Sequence, residues 1–385
     1  MTVVGAGVFG VAGALELSRR GYTVRVLDSG TVPRPAASST DISKAVRSDY
    51  GNDEFYTDLA ARAIVRWREW NREWDEPLFH EVGILLLSRD SMEPGGFEAD
   101  SMRLQLERGV PVERLDGAAL ARRYPAWSRS TYTDGYLNPH AGYVESGRVM
   151  QALISRARAA GVEIREGVRC VRLHQPGDRV AGVVLEGGEI LGADFVLVSA
   201  GAWTAFLLPW LSEFLWATGQ PVVYFRPLDP RPFEGARFPV WCGDIARTGW
   251  YGFPINHEGV LKVGHHGPGR RIGPDDPLDV TEAEERESLE FVRATFPALG
   301  NESVLRTRLC LYCDTWDGDF LIDHDPQRPG LVVAAGGSGH GFKFAPLLGQ
   351  IIADVLERKP NREAQRFAWR QPGQRRAEQA RKGSS

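Results

Sequence analysis

Thr2-Val-Val-Gly5-Ala-Gly7-Val-Phe-Gly10 opens the chain, and an Ala/Leu-rich run from Val11 to Arg20 follows it and stops at Gly21. A second β-rich run, Tyr22 to Leu27, ends at Asp28. A strand entering a GxGxxG turn, then a helix, then a strand closed by an acid is the order that a dinucleotide-binding unit requires. Gly5 permits the tight turn, Gly7 lets the backbone approach a pyrophosphate, and Gly10 lets helix and strand pack closely. The helix N-terminus presents free N–H groups and a partial positive charge to the phosphates. Asp28, 18 residues beyond Gly10, is placed to accept from ribose hydroxyls and disfavours a 2′-phosphate. The motif alone does not separate FAD from NAD. Since it starts so near Met1, neither a secretory leader nor a membrane span is expected ahead of it.

Outward from this unit, Phe195-Val-Leu-Val-Ser-Ala-Gly201 and Leu331 to Ala335 are near-continuous apolar runs of the kind buried parallel strands show. Helical spacing runs through Asn52 to Trp74, Gly147 to Ala160, Thr281 to Thr295 and Pro346 to Leu356. Between these lie strand-like runs separated by turn residues: Val82 to Leu87, Val222 to Phe225, Val240 to Cys242, Gly249 to Phe253 and Leu261 to His265. The order predicts a mixed α/β chain: a Rossmann-like nucleotide-binding domain from residues 1–80, 142–215 and 315–370, with a mixed or antiparallel sheet inserted as 81–141 and 216–314, which the resemblance described below implies to be an FAD-binding domain and a substrate domain. Residues 371–385, basic and poor in apolar side chains, are expected to be a loosely ordered tail.

Composition sets further bounds. The chain has 385 residues, 43% of them hydrophobic, including 11 Trp and 17 Phe, which is enough for a large core in two domains. A net charge of −4 gives no electrostatic reason to bind nucleic acid or an anionic membrane. The cysteines (170, 242, 310 and 313) show no metal-ligand pairing, and a reduced, cytoplasmic protein is the expectation.

Three C-terminal blocks carry a family likeness: Arg308-Leu-Cys310-Leu-Tyr312, Asp319-Phe-Leu-Ile-Asp323 and Ala334-Ala-Gly-Gly-Ser-Gly-His340-Gly-Phe-Lys343. With Tyr251-Gly-Phe-Pro254, Leu261-Lys262-Val-Gly-His-His266 and Lys44-Ala-Val-Arg47, they resemble monomeric sarcosine oxidase and its relatives, the N-methyltryptophan and fructosyl amino acid oxidases. The resemblance spans nearly the whole chain in the same order. It implies FAD linked covalently through a cysteine, amine oxidation by oxygen with release of hydrogen peroxide, and a monomer whose partners are a small amine or amino acid and oxygen.

Residue by residue, the resemblance makes Cys310 the flavin-linking thiol and Lys262 the cation that assists the reaction with oxygen. It makes Lys343 and Arg47 the pair that holds a substrate carboxylate. Arg suits a two-pronged clamp and Lys a point charge. Tyr251, His266, Tyr312 and His340 match residues around the reacting atoms, and Gly201, Gly337, Gly339 and Lys343 match parts of the flavin cradle. Lys44 stands where sarcosine oxidases commonly have arginine, and Asp41-Ile-Ser-Lys44 is closer to the Asp-x-x-Lys of fructosyl amino acid oxidases. That departure bears on the substrate. A cyclic imino acid oxidase, a dehydrogenase and a non-catalytic nucleotide-binding module are the other readings. Trp203, Trp241, Trp250 and the loop from Pro33 to Thr40 are candidates to shape the pocket.

Overall fold

Thr2–Val4 lies inside a six-stranded sheet, paired in parallel with Arg25–Leu27 on one side and Val196–Val198 on the other. The computed structural model describes residues 1–235, 237–273, 276–299, 302–374, 376 and 378–381. Leu331–Ala335 continues the sheet in parallel, Leu321–His324 closes that edge antiparallel, and Glu163–Arg165 closes the other. All three residues of Thr2–Val4 and of Val196–Val198 are buried, as the unbroken apolar runs require for strands covered on both faces. Helices Val8–Arg19, Ser146–Ala159, Ala345–Leu356 and Glu54–Glu73 contribute to one core on this sheet, and Val11, Ala14, Ala63, Trp67 and Ile352 are fully or almost fully buried in it. The side chain of Asp53 accepts from Tyr56 N and so caps the helix Glu54–Glu73.

A nine-stranded sheet makes the second layer system. Its order is Arg270–Arg271, Leu215–Phe225, Leu261–His265, Trp250–Phe253, Val240–Gly243, Ile84–Ser88, Asp134–Asn138 and Glu113–Asp116, and Arg306–Thr315 also pairs with Leu215–Phe225. The helix Glu282–Thr295, started by a Thr281–Glu284 capping box, packs Phe291 and Val292 on a largely aromatic core. Trp241 and Trp250 belong to that core, each ring stacked on Phe291. They are structural there, and of the three tryptophans considered for the pocket only Trp203 lines the large cavity.

Several strands escape a reading of apolar periodicity. Asp134–Asn138 and Lys44–Val46 carry too few apolar residues, and their pairing with Ile84–Ser88 and Gly142–Val144 decides them. Within the tail, Ala380 is fully buried in a cluster with Phe97, Tyr143 and Phe253, and Arg381 is nearly so on Asp314, whereas residues 375, 377 and 382–385 lie outside the described residues.

Candidate active site

A cavity of about 630 Å³ opens at the C-terminal ends of the parallel strands, where α/β sheets take their ligands. Gly5, Gly7, Asp28, Lys44, Gly201, Cys310, Tyr312, Gly337 and Gly339 all line it. Gly10 stands behind the lining: a Cβ there would come 2.0 Å from Gly5 O, so nothing larger than glycine fits the crossing of helix and turn. Asp28 braces the turn, accepting from Ala6 N and Gly30 N at 3.0 Å each. Gly339, at φ +80°, brings the backbone against Tyr312, whose ring a Cβ would meet at 2.3 Å. The Pro33–Thr40 loop supplies Arg34, Ala37, Ser38 and Ser39 to the wall.

The strand Arg306–Thr315 presents Cys310 opposite Gln220 and Tyr312 opposite Thr218, so the two side chains share one face. Cys310 is 3% exposed yet faces the cavity. The Arg308 guanidinium donates to Ala37 O at 2.8 Å nearby. Burial pushes the Cys313 thiol up to about 12.

Tyr312 leads from this cavity to a second, filled region. Its hydroxyl lies 3.3 Å from His266 Nδ1, and His266 Nε2 lies 3.5 Å from Glu378 Oε2. Glu378 pairs with Arg47 through Oε1 and Nη2. Arg47 sits 4.8 Å from the centre of the Tyr50 ring and Lys343 Nζ sits 5.0 Å from it. Lys343 donates to the Tyr50 hydroxyl (2.8 Å) and to His340 O (3.1 Å). His340 Nε2 faces Gly318 O at 3.1 Å, so that nitrogen carries the proton and Nδ1 accepts from Tyr50 at 3.0 Å. Both ring nitrogens are thus committed, and burial lowers His340 to about 3 and keeps it neutral. Its place is to hold Tyr50 and Lys343; it is not free to take a proton.

Burial, and then the neighbouring Arg47, bring Lys343 down to about 7. An unfolded lysine titrates near 10.5. The folded state therefore resists protonating Lys343, a penalty in full force below about pH 7 that disappears as pH rises toward the unfolded value. Lys343→Met is expected to raise the unfolding temperature by roughly 5 °C at neutral pH, with the gain shrinking toward pH 10; a pH series of thermal melts checks this. Lys343 and Arg47 thus lie close together around the Tyr50 ring, with the Glu378 carboxylate on Arg47.

Lys262 does not line the cavity. It is 2% exposed, and its ammonium donates to Asp41 Oδ2 (2.6 Å) and Ser43 O (2.7 Å), while Tyr224 donates to the other Asp41 oxygen at 2.7 Å. Burial works against the Asp41 charge, but Lys262, with Lys44 and Arg308 behind it, holds the carboxyl well below the usual range. Tyr251 completes the group, 5.8 Å ring to ring from Phe253, over which Lys262 lies. Tyr50, Asp41 and Glu378 are members that motif reading did not assign. The Asp-x-x-Lys pattern pointed near Asp41, whereas no local signal marks Tyr50 or Glu378.

A dinucleotide cradle, a cysteine in its wall and a buried cationic cluster behind it define a flavin-dependent oxidoreductase. The FAD dependent oxidoreductase family matches residues 1–355, and the chain belongs to that family. It is 31% identical over 372 residues to N-methyl-L-tryptophan oxidase of Salmonella arizonae, covering 94% of this chain and 95% of the relative. Monomeric sarcosine oxidase of Bacillus sp. is 28% identical over 358 residues, covering 92% and 90%. Fructosamine oxidase of Aspergillus fumigatus (Amadoriase II) superposes with a TM-score of 0.83 at 26% identity, covering 96% of this chain and 88% of that one. Among the described residues no helix is long and apolar enough to cross a membrane.

Proposed function

We propose that the chain is an oxidase of secondary amines, acting on an N-substituted amino acid whose carboxylate is held by Arg47 and Lys343, with FAD attached through Cys310. The observation that carries this is the pair of buried cations on the Tyr50 ring, joined to the cavity through His266 and Tyr312. The residues present fit FAD: the glycine turn and helix N-terminus would hold its pyrophosphate, Asp28 its ribose, and Gly337 to Gly341 would let its ring system approach the backbone. When bound, FAD supplies the acceptor for a hydride and passes the electrons to oxygen, giving hydrogen peroxide.

The chain's own part is to bind, orient and manage charge. Arg47 and Lys343 fix the carboxylate end, which sets the α-carbon at a constant height over the cavity. The amine must lose its proton to release a lone pair. His266 is the imidazole placed to help, since it is neutral and its Nε2 makes no hydrogen bond. Lys262, keeping one N–H beyond those given to Asp41 and Ser43, supports charge that develops on oxygen. The product imine hydrolyses to an amine and a carbonyl compound. Four free cysteines support a reduced, cytoplasmic setting, and we read the enzyme as a monomer.

Lys44 in the cavity wall favours a second reading, a fructosyl amino acid as substrate. Peroxide release from sarcosine, N-methyl-L-tryptophan, proline and fructosyl-glycine, followed in parallel, separates the two. An N-methyl amino acid is expected to lead the series by tenfold or more in kcat/KM, an effect on the order of one good contact in the pocket. A lead by fructosyl-glycine moves the assignment to the second reading, and no peroxide from any secondary amine removes both.

A further inference from the structure

The last described residues of the chain run through the cationic cluster. Gln379 accepts from Asn52 N at 3.1 Å, and Ala380 is fully buried beside Phe97, Tyr143 and Phe253. Arg381 grips Asp314 with two hydrogen bonds of 2.7 Å and donates to Gly267 O at 2.9 Å. Glu378 immediately precedes these anchors, its side chain 5% exposed and its carboxylate on Arg47.

The two ion pairs of the tail are built differently. Arg381 and Asp314 engage in the two-pronged manner that carboxylates and guanidinium groups prefer. Arg47 and Glu378 are joined through one nitrogen and one oxygen, and buried Arg47 Nη1 and Glu378 Oε2 make no hydrogen bond. Unsatisfied buried groups carry their desolvation penalty without return. The anchor is therefore well made and the occupant is not. A small carboxylate, free to turn, would engage both guanidinium arms where the tethered one engages a single arm.

We propose that Glu378 is a specificity-determining residue of the substrate site: its carboxylate stands in for a substrate carboxylate on Arg47, so an amine bearing a carboxylate binds by displacing it and an amine without one does not need to. This rests on the reading of Arg47 and Lys343 as the carboxylate clamp. Because Arg381 keeps the tail tethered, Glu378 competes at a high effective concentration, and the apparent affinity for any carboxylate is reduced by the fraction of open sites. Charge thereby sorts substrates before shape does.

The test compares three flavin-loaded proteins: the full chain, Glu378→Gln, and a chain ending at Pro372, which retains the Trp369 and Arg370 contacts to Asp323 and Asp317. Acetate is titrated into each and followed through the flavin absorbance. Acetate is expected to bind about tenfold or more tightly to both altered proteins than to the full chain, as removal of a competitor occupying some nine-tenths of sites gives. Under anaerobic conditions, flavin reduction by N-methyl-L-tryptophan should gain by a similar factor relative to reduction by N-methyltryptamine, which lacks the carboxylate, so that the ratio of the two rates carries the effect. Equal acetate affinity in all three proteins, or weaker binding to the shortened chain, overturns the proposal. Acetate without effect on any of them, the shortened chain included, removes the clamp reading itself and the role of Glu378 with it. Should the shortened chain fail to hold flavin, the Glu378→Gln protein decides alone.

Discussion

Acid precipitation of the Cys310→Ala protein is expected to leave its flavin in the supernatant, while the unaltered chain takes the yellow colour into the pellet and shows the added mass of FAD in its intact mass. The expectation follows from where the sulfur sits. The register of Arg306–Thr315 against Leu215–Phe225 turns Cys310 into the cavity wall, where the proposed attachment requires a thiol. Arg308 lies two residues away with its guanidinium on Ala37 O, which ties this strand to the Pro33–Thr40 loop in the cavity wall. Cys313 borders the same cavity but has its thiol pushed up to about 12 by burial, so Cys313→Ala should keep the flavin attached and serves as the control. Release of flavin from the unaltered chain would leave FAD non-covalent and Cys310 as a small buried side chain.

Lys262→Met is expected to act on two measurements at once. The side chains of Lys262 and Asp41 are 2% and 1% exposed, and removing one member of such a pair strands the other charge. A loss of about 3–5 kcal/mol in stability follows from that alone, read by denaturant unfolding. The second effect is chemical. With two of its three N–H groups on Asp41 and Ser43, Lys262 is a fixed cation that needs no rearrangement to meet developing negative charge. Its removal should slow the reaction of the reduced enzyme with oxygen by about 10²–10³, the scale of losing one preorganised electrostatic contact. Anaerobic reduction by the amine should change far less. An oxygen reaction of unchanged rate in Lys262→Met would confine the lysine to holding Asp41 and the strand carrying it. The two measurements therefore separate support of the fold from support of the chemistry.

Local chemistry decided how much could be read before the structure. The GxGxxG turn, its flanking strands and Asp28 are set by residues within one short stretch, and the structure shows Gly5 at positive φ and Gly10 pressed on Gly5 O, while Asp28 braces the turn through Ala6 N and Gly30 N. Cys310, Tyr312, Gly337 and Gly339 fall in motifs with a face and a register, and the structure gathers them on one cavity. The surroundings of Lys262 and His340 were not legible: the first is tied to Asp41, the second is locked between Tyr50 and Gly318, and neither lines the cavity. Tyr50 meets His340 across 290 positions, and Glu378 meets Arg47 across 331. No periodicity links residues so far apart. The tail has the composition of a solvated segment, and only neighbours distant in sequence, Phe97 and Phe253 around Ala380 and Asp314 on Arg381, make these two residues interior.

The central position of Thr2–Val4 has a consequence for biosynthesis. Thr2–Val4 is synthesised well before its partner Val196–Val198, which in turn waits for Leu331–Ala335. At about 5–20 residues per second, that last partner emerges roughly 20–60 s after the first strand. During this interval the glycine turn and its helix have no completed sheet to settle on. The nascent chain therefore carries an unfinished parallel strand–helix–strand unit, and holdases that shield such segments should matter more for the yield of this enzyme than for a protein whose domains close in the order they are translated.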